Sequence, residues 1–300
     1  MKVALLLIKR NVKLFFKDKG MFFTALITPA ILLVLYATFL ANVYRDSFES
    51  SLPAGIVLED KLVNGLVGGQ LIASLLAVSC VTVAFCSNFL MVSDKVSGAA
   101  RDLGMTPAKS STVSLSYYVA TLISTLLITF VAAAVCLVYV ASIGWYMSVA
   151  DVLYLVLDIF LLVLFGTALS SLINVFLTTQ GQISAVGTVI SAGYGFIAGA
   201  YMPISSFGEG LQKVISFLPS TYGTALIKNH ALCGVLTEME HIGVPTEAVE
   251  GIRDALDCNI YFFDSAVNVS SMYAIVGAST ALLVLVFVLV NTLKNRRKIK

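Results

Sequence analysis

Charged residues are scarce in this chain, so the few that stand among apolar neighbours are the ones whose chemistry needs explaining. Asp158 lies inside the apolar run 152–176. A carboxylate in that setting is a candidate for handling a proton or an ion, or it sits shallow enough to reach interfacial water. The sequence names no cationic partner for it in another apolar run. A second group is Asp94, Lys95, Gly98, Arg101, Asp102, Leu103 and Pro107. A short helix there would dock Leu103 and Met105 in an apolar groove of a partner, with Arg101 and Asp102 fixing its orientation. The plain alternative is a solvated connector. Cys233 and Cys258 share one polar segment. Outside the cytoplasm such a pair can form a disulfide, worth roughly 3–4 kcal/mol for a loop of this size.

The remaining chemistry is thin. Cys80, Cys86 and Cys136 sit in apolar runs and read as small hydrophobes. No CxxC or zinc-ligand spacing occurs, so no metal site is expected. His230 and His241 are the only histidines and are expected in a polar segment outside the membrane. The chain has no GxxxxGK[ST], HExxH or GxSxG, so no catalytic residue and no nucleotide site of its own is assigned.

The elements that carry these residues follow from composition. Of 300 residues, 58% are hydrophobic and 12% charged, with a mean hydropathy of +0.94. A soluble domain has about 25% charged residues, so this chain lacks the polar surface to cover a water-soluble globule. Six apolar runs are long enough to cross a bilayer, which takes roughly 20 residues. They are 21–40, 66–92, 115–141, 152–176, 183–202 and 272–290. Most of the 19 basic residues fall before the first run, after the second and after the last, which places both termini in the cytoplasm. Segment 203–270 is acidic and is the one long excursion on the other side.

Two further patterns are physical. Leu5, Ile8, Val12, Phe15 and Phe16 fall near one helical face, with Lys9, Lys13 and Lys17 on another. That pattern predicts a basic amphipathic helix over 1–19 lying in the membrane interface. Gly193, Gly195, Gly199 and Pro203 permit close packing and a broken helix. The semi-apolar pieces 207–217 and 220–232, hinged on Pro219, are too short to span and suit re-entrant or interfacial helices.

The order of these parts resembles the type 2 ABC export permeases, the group that includes drug-resistance, nodulation-factor and polysaccharide exporters. The resemblance covers nearly the whole chain. It rests on the basic N-terminal helix, on Asp94-Lys95, Gly98, Arg101-Asp102 and Pro107, on Gly199-Ala-Tyr201-Met-Pro203, and on Pro219-Ser-Thr-Tyr222. The resemblance implies an all-α polytopic membrane protein in which the whole of 1–300 is one permease domain with six transmembrane helices. It implies an interfacial helix over 1–19, a cytoplasmic coupling helix within 94–110 and outer re-entrant helices within 203–270, with Gly199, Tyr201, Pro203, Pro219 and Tyr222 marking the re-entrant and exit region. It further implies a separate cytoplasmic ABC ATPase subunit that carries ATP and Mg, and a second permease copy, identical or not. The second and fifth spans would line the dimer interface and the substrate route, in a bacterial plasma membrane.

On that reading the chain itself is no enzyme, holds no cofactor and binds no nucleic acid; membrane lipid is its solvent. The expected cargo is hydrophobic or amphipathic, such as a drug, a lipid-like compound or a peptide. A polysaccharide or glycolipid exporter is the alternative within the family, and the single Trp145 weighs against it. A secondary transporter working through Asp158, or a membrane enzyme or sensor, are the readings outside it.

Overall fold

A computed structural model describes residues 2–51, 58–263 and 265–296. Asp264 of the acidic segment and the C-terminal Arg297, Lys298 and Lys300 lie outside the described residues. The chain is almost entirely helical, as apolar runs in lipid must be, because only a helix or a closed barrel satisfies its own backbone there.

Helix α1 (Lys2–Lys17) ends at Asp18, whose side chain accepts the Met21 N–H at 3.0 Å and caps α2 (Lys19–Leu35). A π-turn at Tyr36–Leu40 carries α2 into α3 (Ala41–Ser51). Then follow α4 (Asp60–Ser97), α5 (Ala99–Gly104) and α6 (Ser110–Ile143). Capping boxes start both α7 (Val149–Phe176), through Ser148 and Asp151, and α8 (Gln180–Ile197), through Thr179 and Gln182. A 3-10 turn at Ile204–Ser206 leads to α9 (Glu209–Ser216), α10 (Pro219–His241) and α11 (Thr246–Ala255). An antiparallel hairpin of β1 (Ile260–Phe262) and β2 (Ser265–Val267), with Ile260 opposite Val267, precedes α12 (Val269–Arg296).

Among the described residues, five stretches are long and apolar enough to cross a membrane: Lys19–Asp46, Asp60–Ser97, Ser110–Ile143, Val149–Phe176 and Val269–Asn291. The expected fifth run, 183–202, is helix α8, which stops at Ile197 and so rises about 27 Å. It begins Gln-Gly-Gln and carries four glycines, which dilutes its hydropathy below that of the other five.

Helix α4 is the core. It packs against α2, α6, α7, α8 and α10, and its residues from Leu66 to Val92 are buried throughout. The α6 face turned towards the bundle interior is rich in small residues, among them Ser116, Ala120, Ser124 and Ala133, which let helices approach closely in lipid. The enclosure overturns one expectation: the second span is not a surface for a second subunit, because its own chain surrounds it.

Helix α10 lengthens another expected element. Segment 220–232 is part of one continuous 23-residue helix buried among α4, α7 and α12. Gly223 meets Leu162 of α7, while Gly234 lies against the backbone of Tyr146, just before α7 begins. The two helices are therefore antiparallel. The start of α10 lies about 20 Å down α7 from its first turn, at 1.5 Å per residue. A Cβ on Gly234 would fall 2.0 Å from the Tyr146 carbonyl oxygen. Gly234→Ala is expected to cost about 1–3 kcal/mol through overpacking, read as a lowered thermal midpoint of the purified chain. Gly251→Ala on the outer side of α11, where a Cβ meets nothing, should leave that midpoint unchanged or raise it.

Candidate functional site

The residues around Asp94 divide into an inward set and an outward set. Asp94 is buried near the end of α4. Its Oδ2 accepts from Arg10 Nη1 at 2.6 Å and from the Tyr117 hydroxyl at 2.5 Å, and its Oδ1 accepts from Arg10 Nη2 at 3.3 Å. The charge-assisted bond to Asp94 holds the Arg10 guanidinium above its ordinary pKa, against the opposing effect of partial burial. Next to it Asn11 donates to Ser116 at 3.4 Å. Lys95 donates to the carbonyls of Asn174, Val175 and Leu177 at 2.7, 3.1 and 3.0 Å. Those carbonyls close the C-terminal end of α7, where a cation is favoured. One dipeptide thus ties α4 to α1, α6 and α7.

The chain then turns at Gly98, whose φ of +89° is the left-handed conformation glycine adopts without steric cost. Beyond it Arg101, Asp102, Met105 and Pro107 are exposed. Leu103 departs from expectation. It is half-buried against a cluster of Leu90, Met91 and Tyr117 in its own chain rather than free for a partner. Helix α1 presents Lys9, Lys13 and Lys17 outward and packs Asn11 and Phe15 inward. Its exposed Leu5 and Leu6 leave an apolar border beside the charges.

Asp158 is buried in α7 and has partners on two other helices. His230 Nδ1 of α10 lies 2.6 Å from its Oδ2, and the Tyr273 hydroxyl of α12 donates to its Oδ1 at 2.5 Å. Tyr154 stacks on the His230 ring at 5.0 Å. The histidine expected outside the membrane is thus the partner that the sequence did not supply. The only signal for it was the polar trio Lys228-Asn229-His230 in an otherwise semi-apolar segment, and that trio is placed inward because α10 is enclosed. Tyr273→Phe is expected to destabilise by about 1–3 kcal/mol, the penalty for stranding a buried acceptor. The double variant with His230→Gln should fall short of the sum of the singles, checked by a thermal-unfolding cycle.

The third junction gathers the residues near the proposed exit. Lys228 is buried; its Nζ donates to the Gly199 carbonyl at 2.7 Å and pairs with Asp257 at 3.1 Å. Asp257 also accepts the Ile204 N–H at 3.0 Å. Gly199 has φ +69°, and Tyr201 folds its ring against Gly195 and edge-on to Phe196. Pro203 leads into the 3-10 turn, Pro219 is the first residue of α10, and Tyr222 donates to the Ser216 carbonyl at 2.6 Å. Cys233 and Cys258 are both free thiols. Cys258 packs beneath α10 with Leu232 and Leu236, while Cys233, one residue on, turns towards Asp151 of α7. The expected disulfide is absent because the helix points the two thiols to different faces.

A groove of about 1090 Å³ runs between α2, α4 and α8. Asp18 and Gln180 lie at one end, and Phe196 and Tyr201 at the other. One wall is Ile27, Ile31 and Leu35 of α2; the floor is Cys86 and Phe89 of α4; the other wall is Ile183, Ser184, Gly187, Thr188 and Ser191 of α8. The α2 wall is therefore mainly aliphatic, with Thr24 and Thr28 among its residues, and the α8 wall is richer in hydroxyls.

A bundle of apolar helices around an enclosed central helix, with an open groove and a short exposed turn at one end, defines a multi-pass membrane transport subunit. Residues 3–229 match the ABC-2 type transporter family, and the chain belongs to that family. It is the membrane component of an ABC transporter, a class that works with an ABC ATPase. No curated protein matches it.

Proposed function

We propose that the chain is the permease half of an ATP-driven exporter that moves a hydrophobic or amphipathic molecule by alternating access. The observation that carries this reading is the groove. Its mainly aliphatic α2 wall suits an acyl chain or an aromatic body, and the Ser184, Thr188 and Ser191 hydroxyls of α8 suit a polar end. A sugar polymer would call for stacking rings along the route, and only Phe89, Phe196 and Tyr201 are aromatic there. Asp158 does not line the groove, and both its oxygens are engaged. That supports a latch between helices over an ion carrier.

In this proposal a separate cytoplasmic ATPase, carrying ATP and Mg, grips α5 from outside through Arg101, Asp102, Met105 and Pro107. Its closure moves α5, and the pull reaches α1, α6 and α7 through Asp94 and Lys95. The bundle tilts, and the groove between α2 and α8 changes its opening. A second copy of the permease faces the first across α2 and α8. With α8 counted as a crossing, six spans put both termini on the ATPase side of a bacterial plasma membrane.

The test is co-purification and ATP turnover with a partner ATPase in reconstituted membranes, comparing the native chain with Arg101→Ala/Met105→Asp. Both side chains are exposed, so the fold should survive. Association is expected to weaken by roughly ten-fold or more, the effect of about 1.4 kcal/mol, with substrate-stimulated turnover lost. An ATPase that binds and turns over equally well with the variant would remove α5 from the mechanism.

A further inference from the structure

The turn between α9 and α10 is deep in the bundle, yet one side of it is bare and apolar. Phe217, two residues before α10, is 61% exposed. Leu211 and Val214 of α9 are also exposed and stand at three-residue spacing with it. The tip of the β1–β2 hairpin reaches the same point. The Phe217 ring lies edge-on to Phe262 at 5.1 Å and to Phe263 at 5.9 Å. Phe263 is 62% exposed and has φ +44°. A bulky residue in the left-handed region is a steric outlier, and here it presents a phenylalanine ring outward.

Water is a poor occupant for such a surface. The start of α10 lies about 20 Å along α7 from its first turn, by helix rise, and Phe217 is at that level. The hydrocarbon core is about 30 Å thick, so the rings fall within it. Two residues beyond β2 the chain enters α12, whose Leu282 and Leu285 are exposed along a membrane span. The aromatic cluster therefore continues the lipid-facing surface of that span.

We propose that Phe217, Phe262 and Phe263, with Leu211 and Val214, form a lipid-inserted anchor that seats the turn between α9 and α10 in the hydrocarbon core. The partner is the acyl region of the surrounding bilayer. The anchor would hold the hairpin, and through Asp257 and Lys228 the start of the exit segment, at a set depth. The proposal depends on the membrane-spanning fold and not on the direction or cargo of transport.

Trp145 is the only tryptophan, which makes the test direct. In a Trp145→Phe background, Phe263→Trp is reconstituted into phosphatidylcholine vesicles, with and without bromine part-way along the acyl chains. Leu285→Trp serves as the span reference and Glu247→Trp as the aqueous one. Emission from the Phe263→Trp protein is expected to drop by about half or more in brominated lipid, as for a side chain beneath the headgroups, and to resist aqueous iodide. Quenching by iodide but not by bromine would overturn the proposal in favour of a water-filled route. Protection from both would overturn it in favour of a contact with a second copy. If Phe263→Trp does not fold, Phe217→Trp reports on the same cluster with the same outcomes.

Discussion

A carboxylate that leaves water must find donors, and this subunit is organised around three that do. Asp94 takes Arg10 and Tyr117 near one end of the bundle. Asp158 takes His230 and Tyr273 partway along α7. Asp257 takes Lys228 and the Ile204 N–H towards the other end. A buried pair of this kind adds little net stability over an apolar replacement, but losing one partner is costly. What the pairs supply here is position. The first two cross between helices, and the third pins α10 to the chain on either side of it.

Position matters because lipid gives helices little reason to choose one neighbour over another. Apolar faces pack as well against acyl chains as against each other. The small-residue face of α6 and the glycines of α10 set how close helices can come, but contacts of that kind tolerate sliding. A bond from Asp158 to His230 does not. The same logic separates the two ends of segment 94–107. Asp94 and Lys95 are engaged within the bundle and hold α4 to α1, α6 and α7, whereas Arg101 and Met105 are exposed.

Five of the six expected spans, the amphipathic α1 and the exposed turn at α5 were legible because each rests on local pattern, either an apolar run or a helical stripe. The family was legible from the order of those parts. The partners of Asp158 were not. His230 stands in a segment whose composition reads as a polar loop, and only the enclosure of α10 by α4, α7 and α12 turns it inward. Helical phase also decided the cysteines. Cys233 and Cys258 share one segment, but Cys258 is buried in an apolar cluster with Leu232, the neighbour of Cys233, while Cys233 itself lies beside Asp151. Leu103 was misjudged for a related reason, since half of a short helix's apolar face is used by its own chain.

The re-entrant segment shows why such pairs and the bare aromatic edge belong together. Backbone that is not part of a spanning helix survives at membrane depth only where protein or water satisfies it. Between Gly199 and Pro219 the chain does this with side chains. Lys228 meets the Gly199 carbonyl, Asp257 the Ile204 N–H, Gln212 the Phe207 carbonyl, and Tyr222 the Ser216 carbonyl. With its polar groups met on the inner side, the segment can turn an apolar edge outward at little further cost.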